Sequence, residues 1–145
     1  MIGLLVLAAF APERTCTVHH TRNDVIVTEY LGDRKCVDWK PPRTFRGVFV
    51  DCMEGQAYFD AARSLDDLRD RKDNVWFSTD RVTRFSMPLP KPRYRCEAYR
   101  VTFVGQEAKE MNRKPLEGYG HMSMAAGVVL VDDLTGVTDL GRWRR

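Results

Sequence analysis

The segment CEAYRVTFVG, residues 96–105, limits the fold more than any other feature, because Tyr99, Val101 and Phe103 fall on one face of an extended chain. Alternation with a period of two marks a half-buried strand. A strand cannot satisfy its own backbone N–H and C=O groups, so the chain must build a sheet around this segment.

Further strands are legible. TCTVHH and DVIVTEYL are rich in β-branched residues and flank the polar TRND, which predicts a strand pair. Residues 45–53 and 56–61 predict two strands turned at Glu54 and Gly55, with Gly47 expected to permit a bulge or sharp bend. NVWFS predicts a further strand, and GVVLVDDL through VTDL the last one or two. Pro41 and Pro42 break the chain before the main fold, and Pro88, Pro90 and Pro92 make an extended connector.

A single helix is expected after the second of the main strands. Ser64 and Asp67 have capping-box spacing, Arg69, Arg71 and Lys72 crowd the end, and Ala61, Leu65 and Leu68 make one apolar stripe for docking on the sheet. The expected class is mainly β: a small antiparallel barrel, OB-like or SH3-like, with one short helix. An OB-type barrel usually carries its helix after the third strand, whereas here it falls before it. The expected organisation is a signal peptide at 1–11, a strand pair and linker at 12–42, and the barrel domain at 43–145.

The chain of 145 residues suits one barrel, and 43% hydrophobic with 30% charged residues belongs to a folded, soluble domain. A net charge of +3 is too small to argue by itself for nucleic acid. The apolar run at 2–11 has the length of a signal-peptide core and is too short to span a bilayer, so no transmembrane span is expected in the mature protein. Ala9-Phe10-Ala11 is its small-x-small site, and a start codon assigned too late would explain the missing basic residues before it. The alternative is a buried N-terminal strand or short helix.

Four cysteines, Cys16, Cys36, Cys52 and Cys96, include no C-x-x-C pair. Pairing Cys16 with Cys36 and Cys52 with Cys96 staples one structural unit with each bridge, and a first strand lying against the fourth would bring the second pair together. The alternative is four reduced thiols in a cytosolic protein.

The stretches AYRVTFVGQEA, GYGHM and VVLVDDL resemble a group of uncharacterised small exported proteins of Gram-negative bacteria, whose C-terminal halves read strand, G-x-Y-G-H turn, strand. The resemblance covers roughly the C-terminal third, with weaker echoes in GVFVDCMEGQAYF and VWFS. It implies an exported β-rich protein with no established catalytic residues. In that group a glycine follows the Gly-His pair, whereas here Ser123 and Met124 take its place and 105–118 carries an extra polar stretch, so a differently shaped turn is expected.

The long connection at 106–127 carries the candidate binding residues Tyr119, which could stack on a ring, and His121, which could hydrogen-bond or titrate. The competing expectation has Tyr119 plugging the barrel end and His121 bonding a nearby carbonyl. His19 and His20 are adjacent and point to opposite faces of a strand, so neither a metal site nor another cofactor is expected. Ser78, Ser86 and Ser123 lie in no nucleophile motif, and Asp132 and Asp133 suit a solvated strand edge, so no enzyme is expected.

The expected function is a non-catalytic binding or structural module of the periplasm or envelope, or a secreted protein, meeting an envelope protein, polymer or small ligand. The alternative is an OB-type binder of single-stranded nucleic acid. It would use Trp39, Trp76, Tyr94 and Tyr99 beside Arg43, Arg46, Arg93, Arg95 and Arg100, with the basic tail GRWRR. The acidic residues and the export signal disfavour it.

Overall fold

The alternating segment forms the central strand of a five-stranded barrel. In the computed structural model, which describes residues 17–22, 24–30, 34–53 and 55–144, the strands are β1 (Thr17–Arg22), β2 (Val25–Tyr30), β3 (Arg43–Cys52), β4 (Gly55–Asp60), β5 (Trp76–Ser78), β6 (Cys96–Glu107) and β7 (Val128–Arg142). Residues 1–11, read as a signal peptide, and Cys16 lie outside the described residues.

β1 and β2 pair as a separate antiparallel hairpin, and the other strands form one sheet in the order β4-β3-β6-β7-β5. β5 runs parallel to β7, so the sheet is mixed. Tyr58 of β4 and Val75, just before β5, then exchange backbone hydrogen bonds of 2.8 and 3.0 Å, which nearly closes the barrel. The first barrel strand lies against the fourth and the third runs parallel to the fifth, the connectivity of an OB-type barrel.

Inward residues alternate along each strand. Phe45 and Phe49 of β3, Tyr58 of β4, Phe77 of β5, Tyr99, Val101 and Phe103 of β6, and Val129, Val131 and Leu134 of β7 make the main core. Phe49 stacks on Phe77 at 4.3 Å between centroids, and Phe77 meets Phe103 edge-on at 5.3 Å. Such ring pairs add about 0.5–1.5 kcal/mol each beyond their buried area. Gly47 is regularly paired with both Asp60 and Val101, so the expected bulge is absent. A Cβ there would overlap the Phe59 carbonyl oxygen and lie 2.7 Å from the Tyr58 hydroxyl, so the glycine serves close approach.

The expected helix is a single 3-10 turn, Asp66–Leu68. Its capping box does form: the Asp67 carboxylate accepts the Arg63 and Ser64 N–H groups at 2.7 and 3.1 Å, and Ser64 Oγ accepts the Asp67 N–H at 3.4 Å. The chain then leaves at once, with Arg69 extended and Asp70 at φ 65°. One turn already seats Leu68, with half-buried Leu65, on Val48, Val50, Phe59 and Ala98 of the sheet's outer face, and Ala62 rather than Ala61 joins them. So short a segment has little intrinsic helical stability to oppose that docking. Trp143 covers the same outer patch from the C-terminal side.

Cys52 and Cys96 are directly opposed on β3 and β6 and form a disulfide, as the first-against-fourth arrangement requires. In the chain-entropy model a loop closed across 44 residues contributes about 4 kcal/mol. Cys36 is also disulfide-bonded, while the proposed pairing with Cys16 involves a residue outside the described ones.

Asp132 and Asp133 are not a solvated edge. Asp132 takes the Arg34 guanidinium at 2.6 Å, Arg34 also reaches Asp80 at 2.9 Å, and the pair of carboxylates ties the linker to the barrel. Asp133 is buried and accepts from Arg84 at 3.0 Å and Ser86 Oγ at 3.1 Å, holding the proline-rich connector against β7.

Candidate functional site: a basic groove and a histidine turn

The outer face of β3, β6 and β7 carries a groove of about 470 Å³ beside the patch that Leu68 covers. Its floor follows from strand parity. Arg46 lies opposite Thr102, and Arg100 opposite Val48, on the face that also carries Val50 and Ala98. Across the next ladder Thr102 meets Gly136 and Arg100 meets Thr138. Diagonal neighbours in such a ladder lie about 7–8 Å apart, with their Cβ atoms somewhat closer, and Arg46 and Arg100 line the same groove. Arg63 joins them from the bend after β4, where Ala61 adopts φ 60° and donates its N–H to the Arg46 carbonyl at 2.9 Å.

All three arginines are exposed, and none takes part in the side-chain hydrogen bonds or ion pairs found among the described residues. The neighbouring acids have partners of their own. Asp60 holds Arg43 at 3.1 Å and accepts the Tyr58 hydroxyl at 3.0 Å. Asp67 accepts the Arg63 and Ser64 N–H groups, which together with the Arg63 charge hold its carboxyl below the usual range. Asp139 pairs with Arg93 and accepts the Gly141 N–H. Three arginines therefore line one groove, Arg63 with the Asp67 carboxylate close to it and Arg46 and Arg100 without an ion pair among the described residues, alongside the hydroxyls of Thr102 and Thr138.

The candidate pair in the long connection separates. Tyr119 is 2% exposed, packs with Ala108 and Val128, donates its hydroxyl to the Glu110 carbonyl at 3.1 Å, and lies under the Arg113 guanidinium at 4.5 Å. Burial raises its pKa against the opposing pull of Arg113. His121 is exposed and opens the 3-10 turn His121–Ser123. Gly120 precedes it at φ 70° with its bare Cα against the Trp76 indole, and Met122 and Ser123 also hold positive φ. The ring is thus a packing element and the imidazole a surface group on a tightly wound turn.

The aromatic residues that a nucleic-acid face would use are mostly packing. Tyr99 is buried in the main core, Trp39 and Trp76 pack around Tyr119, and Trp143 sits on the outer patch, leaving Tyr94 exposed. Of the arginines that such a face would use, Arg43 lies over Phe45 and pairs with Asp60, and Arg93 pairs with Glu97. Arg46 and Arg100 are the two that come together. Their shared outward parity, with Val48 and Ala98 as alternate neighbours, was present in the sequence; Arg63 carried no signal, since only the fold brings its bend over β6.

Among the described residues no group of three or more His, Cys, Asp or Glu is placed to hold a metal, and no helix is long and apolar enough to cross a membrane. No protein-family model matches the chain, and no curated protein or solved structure matches it either.

Proposed function

We propose that this chain is a small exported, disulfide-stabilised barrel that works as a non-catalytic binding module of the bacterial periplasm or envelope, with an anionic polymer or small ligand as its partner. The observation that carries this reading is the groove lined by Arg46, Arg63 and Arg100, of which Arg46 and Arg100 form no ion pair among the described residues. Guanidinium groups match carboxylate and phosphate oxygens through paired N–H donors, and Thr102 and Thr138 add hydroxyls beside them. Among the described residues the groove has no aromatic side chain in its lining, which favours a polyanion gripped by charge over single-stranded nucleic acid gripped by stacking.

The test is equilibrium binding of the whole protein to a polyuronate and to inorganic polyphosphate, with single-stranded DNA alongside, across a salt series. Binding to a polyanion should weaken as salt rises, and Arg46→Ala with Arg100→Ala should weaken it by roughly tenfold or more while leaving the melting temperature unchanged. Tighter binding of DNA would support the nucleic-acid alternative, and binding indifferent to both substitutions would remove the groove.

Export is supported by the apolar run at 2–11, the resemblance of the GYGHM region and the Cys52–Cys96 disulfide. Cell fractionation with thiol counting checks it: the protein should appear outside the cytoplasm with no reactive thiol. A cytoplasmic pool carrying four reactive thiols would overturn the assignment.

A further inference from the structure

A second site, separate from the groove, lies on the turn that follows Gly120. His121, Met122 and Met124 occur within four residues, and all three are exposed, the two methionines to 50% and 55%. An isolated exposed methionine needs no explanation. Here two exposed thioethers follow an exposed imidazole on one turn.

The backbone beneath them is fixed. Ser123 donates its N–H to the Gly120 carbonyl at 3.0 Å and Met124 to the His121 carbonyl at 3.3 Å. Tyr119 and Ala125 exchange hydrogen bonds of 2.8 and 3.0 Å at the base, and Gly118 donates to the Ser123 carbonyl at 2.9 Å. The bond from Met124 to His121 closes a turn whose end Cα atoms lie within about 7 Å. Imidazole and thioether at positions 121 and 124 therefore start close together, with Met122 at the corner. The buried Tyr119 ring and the indole against Gly120 anchor that geometry on the barrel.

We infer that the His121, Met122 and Met124 turn binds one soft monovalent cation, Cu(I) or Ag(I), through the imidazole and the two thioether sulfurs. The chemistry selects the class. Thioethers are neutral, polarisable donors that suit Cu(I) and serve hard ions poorly. Zinc sites draw on thiolate, imidazole and carboxylate donors, and calcium sites on oxygen. A donor set of one imidazole and two thioethers brings no negative charge, which matches a monovalent ion.

Silver(I) added to the whole, thiol-free oxidised protein is the probe, because it needs no reductant that would attack the disulfides. The readout is the ε-methyl NMR signals of the methionines. One equivalent should saturate the protein and shift two of these signals, those lost in Met122→Leu and Met124→Leu. Each of these near-isosteric variants, and His121→Ala, should bind silver roughly tenfold or more weakly with an unchanged melting temperature. Three outcomes overturn the inference: no shift of those two methyl signals, affinity that survives the double leucine variant, or displacement of silver by equimolar Zn(II).

Discussion

Asp51 of β3 stands directly opposite Glu97 of β6, and the two carboxyls are held in opposite senses. Glu97 is 1% exposed. Burial works against its ionisation, but the Arg93 N–H at 2.7 Å, the Tyr99 hydroxyl at 2.8 Å and the Arg93 guanidinium at 3.2 Å outweigh it, and its pKa is lowered. Asp51 is raised, first by burial and then by the charge of Glu97, against a hydrogen bond from Gln56. A lowered carboxyl stabilises the fold above its unfolded pKa and loses that contribution as pH falls through the folded value; a raised one costs stability once it ionises and returns it on protonation. Glu97→Gln should therefore lower the melting temperature at pH 7 and flatten its fall in acid. Asp51→Asn should raise it at pH 7, with the gain vanishing below the usual carboxylate range. Melting curves from pH 7 to pH 3 check both signs, and a stabilising Glu97→Gln would contradict the assignment. Glu97 shares the inward parity of Tyr99, Val101 and Phe103, so its burial was written in the alternation, but residue type alone sends a glutamate to the surface.

Among elements, the strands were legible and the helix was not. β3, β4 and β6 fall where apolar alternation and the Glu54-Gly55 turn place them, because burial on one face sets a period the sequence must obey. The capping signals at Ser64 and Asp67 were equally real, yet they nucleate one turn, since local capping says nothing about when docking is complete. Gly47 shows the same gap at a strand. Its need for glycine comes from the Phe59 carbonyl and Tyr58 hydroxyl on the neighbouring strand, contacts no local pattern reveals. Gly47→Ala should cost about 1–3 kcal/mol in denaturant unfolding. Gly55→Ala, with nothing within 4 Å of the added Cβ, should stay within about 0.5 kcal/mol. Equal effects from the two would show that the Gly47 contact relaxes freely.

For the whole molecule, the barrel class could be read from the number and spacing of strands, and the Cys52–Cys96 bridge from the expectation that the first strand meets the fourth. The parallel pairing of β5 with β7 could not, because three residues at Trp76–Ser78 carry no directional pattern and their partner lies across the connection at 79–127. The groove was half legible for the same reason. Arg46 and Arg100 belong to strands whose faces alternation defines, while Arg63 arrives by a bend. The Cys52–Cys96 bridge also encloses the proline-rich connector within its covalent loop, and that connector exposes Val82, Phe85 and Met87. A protease cutting there leaves two fragments held together as one molecule, migrating as a single band until a reductant separates them. A protein built this way can be nicked at an exposed stretch of that connector without shedding either half.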